Sequence, residues 1–410
     1  MYSKNSEKRN KITHSSSLLM KITERFRLFL QKPFFSDNRT LLGLWILLPI
    51  LAALLKLSKY NNFLIFKYVF WHTIELKPLY APYEEYWDIN HYGPFFSLVI
   101  APFAVIPEWF GLLFWSLALS LSLYFAVRKL PFTEKKKIFI YWFCAHELLT
   151  ALFMSQFNIA IAAIIVATFY CIEKEKDFWA AFFIMLGTFV KLYGIVGLAF
   201  FFFSKHKIRF IVGLLIWGIV MFVAPMLISN PDYIISQYVS WWENLNAKNA
   251  ENIFSGGQNI SFLGMVRKIS QCASYSDLWL ILGGLFVFFV PYLRFKQYKN
   301  ESFRYTLLAS VLIFVVLFST GSESSTYIIA FIGVTIWYVA APWERSKWDM
   351  ALMVFAFLLT SMSPSDLFPA FLRKEYVQPY ALKALPCAII WLKLSYEMLF
   401  NDYHQSYRLG

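Results

Sequence analysis

The chain has 410 residues, 59% of them hydrophobic and only 15% charged, with 44 Phe and 15 Trp. A water-soluble fold cannot hide that much apolar surface, and the apolar residues come in long unbroken runs, so lipid is the solvent for most of the chain. The net charge of +13 would point to nucleic acid in a soluble protein, but here it is carried by the loops between apolar runs and reads as a topological signal.

Residues 1–40 form a basic arm whose Lys21–Lys32 stretch predicts an amphipathic helix on the inner leaflet. The first apolar run begins near Leu41, too far in for a cleavable signal peptide, and reads as a membrane anchor. A spanning helix needs about 20 apolar residues, somewhat fewer if flanking lysines and arginines snorkel. On that basis spans are expected near 41–57, 108–127, 138–154, 157–172, 178–191, 192–203, 210–228, 278–293, 305–319, 326–342, 349–362 and 378–398. The expectation is therefore an all-α polytopic protein, with a single membrane domain over 41–400, about 12 transmembrane helices and a short tail at 401–410. The pair meeting at Lys191 reads either as two spans or as one helix broken near the membrane face.

Lys and Arg crowd into the N-terminal arm and alternate loops, including Arg128, Lys129, Lys135, Lys136 and Lys137, then Lys205, Lys207 and Arg209. By the positive-inside rule this side is cytoplasmic and holds both termini. Its short loops carry no glycine-rich phosphate loop, so nothing there would hold a nucleotide. Cys144, Cys171 and Cys387 lie in apolar runs and Cys272 in a polar loop, with no metal-ligand spacing and no evident disulfide.

The outer loops hold the chemistry. The first opens with Asn61-Asn62-Phe63 and predicts an amphipathic surface helix to His72. It then gathers Glu84, Glu85, Asp88 and His91 among Tyr80, Tyr83, Tyr86, Trp87 and Tyr92. A carboxylate in such an aromatic, partly desolvated setting can act as a general base on a sugar hydroxyl; a solvated loop with interfacial aromatics is the alternative. The run from Pro94 to Ile106 is too short to span and reads as a second surface or re-entrant helix. Polar turns follow at Ser155-Gln156-Phe157-Asn158, Lys191-Leu192-Tyr193-Gly194, Gln258-Asn259 and Gly321-Ser322-Glu323. Lys191, and Arg373 with Lys374 in the last outer loop, are candidates to bind a lipid phosphate, against snorkelling or plain headgroup contact. His146 and Glu147 are ionisable groups inside a span, marking either function or a polar contact between helices.

In order and spacing these residues resemble glycosyltransferase family 87 (the DUF2029 group), part of the GT-C superfamily. The resemblance runs from about Asn61 to Ala340. Tyr92-Gly93-Pro94 stands where the family often has Tyr-Pro-Pro, Gln156-Phe157-Asn158 resembles Gly-Gln-x-Asn, and Lys191-Leu192-Tyr193-Gly194 resembles Lys-x-x-Pro. Gln258-Asn259-Ile260-Ser261 with Gly264 resembles Asn-Gln-Ser-x-x-Gly. The resemblance implies a GT-C-like bundle that transfers a hexose, mannose above others, from a polyprenyl-phosphate donor to a lipid-linked or surface glycan. It places the protein in a bacterial inner membrane, the active face outside, with no cofactor and no metal, since lysine can neutralise a single leaving phosphate.

One departure matters. The family usually opens this loop with an Asp-Phe pair whose aspartate is the base, and here Asn62-Phe63 stands instead. An asparagine cannot take the proton. The base then moves to Asp88, Glu85 or Glu84, with His91 and Tyr92 orienting it. Asn62, Gln156, Asn158, Gln258, Asn259 and Glu323 would line the substrates, while Lys191 with Arg373 or Lys374 holds the phosphate. The alternatives are a flippase for lipid-linked sugars and an inactive glycolipid-binding homologue.

Overall fold

The computed structural model describes residues 32–56, 59–255, 257–272 and 274–404; the amphipathic helix expected at Lys21–Lys32 falls outside them except for Lys32 itself. Among the described residues the regular structure is helical, and the only bridge of strand type is an isolated one between Tyr83 and Tyr86. The first half comprises α1 (Asn38–Leu55), α2 (Asn61–Ile74), α3 (Phe96–Ala104), α4 (Glu108–Lys129), α5 (Glu134–Leu152), α6 (Asn158–Glu173) and α7 (Asp177–Lys191). After a 3₁₀ helix at Tyr193–Phe203 come α8 (Lys207–Val223), α9 (Pro231–Glu251), α10 (Phe262–Ser270) and α11 (Leu278–Phe289). The chain ends with α12 (Glu301–Leu317), α13 (Tyr327–Ala340), α14 (Lys347–Phe355) and α15 (Ala384–Phe400).

Three of the described helices are long and apolar enough to cross a bilayer: Asn38–Leu55, Glu108–Lys129, and Lys207–Ile228, which joins α8 to the short turn after it. The other expected runs are helical too, but shorter or, in the 19 residues of α5, opened by the charged Glu134-Lys135-Lys136-Lys137. At about 1.5 Å per residue, the 15 residues of α7 rise only about 22 Å. Several of these shorter helices lie inside the bundle. Ile161, Ile165 and Val166 of α6, Leu308 and Leu312 of α12, and Ile328, Phe331 and Ile332 of α13 are all buried, as expected of helices apolar on every face.

Lys191 does not sit at a kink in one continuous helix. The chain reverses at Leu192, which adopts the left-handed region with φ 58°, and the 3₁₀ helix packs back along α7. Gly187 and Gly194 face each other at this crossing, where a Cβ on either would strike the other's backbone. Lys191 is thereby fixed at the tip of a tight helical hairpin.

The polar stretch at 229–277 is largely helical. Asn230 caps α9, its Oδ1 accepting the Tyr233 N–H at 2.8 Å, and Pro231 occupies the first helical position, where a missing N–H costs nothing. Toward the C-terminus the expected span at 378–398 is regular only from Ala384 on, after a turn at 378–383. The polar turns at 155–158, 191–193 and 319–326 gather at one end of the bundle. At the other, Arg304 grips Glu173 with two bonds of 2.6 and 2.7 Å, and Arg345 pairs with Glu397 at 2.9 Å.

Candidate active site

At the polar end a cavity of about 320 Å³ is lined by Asn62, Asp88, His91, Tyr92, Gln156, Lys191, Gln258 and Glu323, with Trp241, Lys248 and Asn249 of α9 and Asn252 just past its end on the far wall. Residues from five separate stretches of sequence thus converge on one space.

The wall from residues 61–93 is built by amides. Asn61, at the start of α2, holds Trp87 by both backbone polar groups: its Nδ2 donates to the Trp87 carbonyl at 2.6 Å and its Oδ1 accepts the Trp87 N–H at 2.9 Å. Asp88 follows in the left-handed region with φ 75°, a conformation aspartate tolerates better than most residues. Asp88 Oδ1 accepts the Ile89 N–H at 2.9 Å and lies 4.0 Å from His91 Nε2. Asn90 closes a turn over Tyr92, accepting its N–H and donating to its carbonyl, both at 3.0 Å. Gly93 then presses against the end of α7, its N–H donating to the Val190 carbonyl at 3.0 Å. A Cβ there would collide with the Phe189 carbonyl oxygen and the Trp241 ring, so only glycine allows this approach.

His91 is neutral. Burial pushes its imidazole down to about 4, and the nearby Lys248 ammonium adds to that, against the opposing pull of Asp88. Asn244 Nδ2 donates both to the Asn90 carbonyl and to His91 Nδ1, each at 3.0 Å. The imidazole proton is therefore on Nε2, the nitrogen facing Asp88, where it has no hydrogen-bond partner of its own.

Across the cavity, two amides link a carboxylate to an ammonium. Gln156 Nε2 donates to Glu323 Oε2 at 2.9 Å, Asn158 Nδ2 donates to Gln156 Oε1 at 2.8 Å, and Lys191 Nζ donates to Asn158 Oδ1. Ser325 Oγ also donates to Gln156 Oε1 at 2.9 Å. The ammonium of Lys191 lies over the rings of Tyr92 and Tyr193, at 5.6 and 5.2 Å, so two aromatic faces flank it.

Asn158 lies beneath the cavity and reaches it through Lys191. Asn259 is buried behind it with φ 50°, accepting the Ser261 hydroxyl at 2.7 Å and supporting the start of α10, while its neighbour Gln258 lines the cavity. Asn62 donates to the Met154 carbonyl at 2.8 Å and stands between this cavity and a second cleft. Glu84 and Glu85 line that second cleft, with Lys56 and Lys59, and not the cavity. Of the three candidate bases only Asp88 lines the cavity. Arg373 pairs with Asp366 at 3.1 Å and bonds the Ser365 carbonyl within its own loop. Lys374 is exposed, and neither residue is part of the cavity lining. The face of α9 is what sequence reasoning missed. Trp241, Leu245, Lys248, Asn249 and Asn252 recur at helical spacing, a signal readable once Asn230-Pro231 is taken as a helix start.

Among known proteins, the family model described as glycosyltransferase family 87 matches residues 90–320, more than half of the chain. The matched stretch takes in His91, Tyr92, Gln156, Asn158, Lys191 and the α9 face, and excludes Asp88 and Glu323. No curated protein matches the chain.

Proposed function

The chain belongs to glycosyltransferase family 87, and from that premise we propose that it moves a hexose, most directly mannose, from a polyprenyl-phosphate donor to a lipid-linked or surface glycan. In this reading it is a GT-C-type enzyme of a bacterial inner membrane, with both termini cytoplasmic and the cavity opening outside. One observation carries the reading: Asp88 and Lys191, a carboxylate and an ammonium, line the same cavity. A transfer from a lipid phosphate needs one group to take a proton and another to receive negative charge.

Asp88 accepts the proton of the acceptor hydroxyl as its oxygen attacks the anomeric carbon of the donor. The bond from that carbon to the phosphate oxygen breaks in line, and the leaving phosphate carries its charge to the Lys191 ammonium, with Lys248 next in reach on α9. Neutral His91 flanks Asp88 in the cavity wall, its Nε2 4.0 Å from Oδ1 and outside hydrogen-bond range. Gln156, Gln258, Asn62 and Glu323 offer donors and acceptors to sugar hydroxyls. The step uses no metal and no cofactor.

The test is transfer from polyprenyl-phosphate-mannose by the full-length protein in nanodiscs. Asp88→Asn should lower kcat by about 10²-fold or more, the upper part of what a positioned base contributes, while Glu84→Gln and Glu85→Gln stay near wild type. Full activity in Asp88→Asn would remove Asp88 as the base.

A further inference from the structure

Apart from the cavity, the most conspicuous charged group in the bundle is a buried ion pair joining α5 to the turn before α15. Lys383 Nζ lies 2.8 Å from Glu147 Oε1, with the two side chains 4% and 0% exposed. The same ammonium donates to the Ser324 carbonyl at 2.9 Å and to Ser324 Oγ at 3.0 Å. All three ammonium donors are therefore used, above the ring of Tyr327 at 5.0 Å. The lysine's own backbone is held as well, its carbonyl accepting the Thr360 hydroxyl at 2.9 Å.

Stability alone does not account for such a pair, because apolar residues of matching size usually pack as well or better than a buried ion pair. What an apolar side chain cannot do is bind a backbone carbonyl and a hydroxyl of one residue at once. That residue, Ser324, follows Glu323 directly, in a turn where the Glu323 N–H donates to Thr326 Oγ1 at 3.1 Å and the Thr326 N–H donates back to the Glu323 carbonyl at 3.0 Å. The next residue, Ser325, donates to Gln156 Oε1. A shift of this turn would move Glu323 and loosen Gln156 together.

We infer that Lys383 is a positioning residue for Glu323: anchored on Glu147, its ammonium pins the Ser324 backbone and so fixes where the Glu323 carboxylate meets the cavity. The catalytic consequence rests on the proposed transfer at that cavity; the pinning itself does not.

Lys383→Met alone would strand the Glu147 charge in the bundle and risk misfolding, so the informative variant is Glu147→Gln with Lys383→Met, which removes both charges at nearly constant volume. In nanodiscs, amide hydrogen exchange over 323–326 should quicken by about tenfold or more, since bonds to a charged group are lost, while α6 and α12 exchange as in wild type. Unchanged exchange at the turn in a folded double variant would overturn the inference, and so would uniform acceleration across every helix. In the polyprenyl-phosphate-mannose assay, kcat of the double variant should fall about tenfold with the donor KM within about threefold. Adding Glu323→Gln should then cost nothing further, and fully additive losses would count against the inference. A wild type that transfers nothing in this assay would refute the proposed donor, while the exchange measurement still decides on the pin.

Discussion

Asn61 suspends Trp87 by both of its backbone polar groups, at 2.6 and 2.9 Å, and Asp88, the next residue, turns into the left-handed region directly after that support. Asn61→Ala removes both bonds, each worth about 1 kcal/mol net, from a segment that must hold a carboxylate in place. The expected result is a fall in kcat of about 10- to 100-fold, a donor KM within about threefold and a melting temperature near wild type. Asn61→Asp keeps the acceptor for the Trp87 N–H but sets a carboxylate against the Trp87 carbonyl, and should be no better than alanine.

Lys191 and Lys248 both line the cavity but are held differently. Lys191 is fixed by Asn158 and two aromatic faces at the tip of a hairpin, whereas Lys248 projects from α9 beside Glu251 at 3.7 Å. Lys191→Met should cost about 10²- to 10³-fold in kcat/KM, the scale of one lost preorganised charge contact. Lys248→Gln should cost less than about tenfold and act mainly on the donor KM, with an effect that shrinks as salt is raised. Steady-state kinetics at two ionic strengths separates the two.

How much of this was legible beforehand varies with the element. Apolar runs as long as those of α1 and α4 leave little freedom, because a backbone in lipid must satisfy its own hydrogen bonds. Gln156, Lys191 and Glu323 could be picked out as polar residues at the outer ends of apolar runs. Their linkage through Asn158 could not, because it depends on how separate helices pack. Glu84, Glu85 and Asp88 are near-equivalent in sequence, and what separates them is the Asn61 clamp and the turn at Asp88. Lys383 was absorbed into an apolar run, and its partner Glu147 lies 236 positions away, beyond any local pattern. Arg373 was legible as a cation but not as one already engaged by Asp366 in its own loop.

The neutral state of His91 sets a pH dependence whose sign can be worked out. Its folded value of about 4 lies below the ordinary imidazole value of 6.5, so between these values the unfolded chain binds more protons than the folded one, and stability rises with pH. The contribution is complete above about pH 6.5 and is lost on acidification, fully so below about pH 4. With the side chain one-quarter exposed, the contribution is roughly 2 kcal/mol. His91→Gln should flatten the fall in melting temperature between pH 6.5 and 4; an unaltered slope would show that His91 is not the titrating group.

Gly93 offers the most severe small change. Its N–H donates to Val190, the residue before Lys191, and it follows His91 and Tyr92 directly, so one close backbone contact sets the proposed base wall against the lysine proposed to bind the phosphate. Gly93→Ala drives a methyl group into the Phe189 carbonyl oxygen and the Trp241 ring, and a backbone carbonyl in a packed helix cannot yield as a flexible side chain would. The loop must lift from α7, at a cost of about 1–3 kcal/mol, and α9 moves with it because Trp241 Nε1 donates to the His91 carbonyl at 3.0 Å. Gly257→Ala is the matched control, since a Cβ there meets nothing within 4 Å. The expectation is a loss of transfer of about 10²-fold or more for Gly93→Ala, with the α6 and α12 amides still protected, against near wild-type behaviour for Gly257→Ala. Equal activity in the two variants would mean that the approach of loop to helix is not what assembles the site.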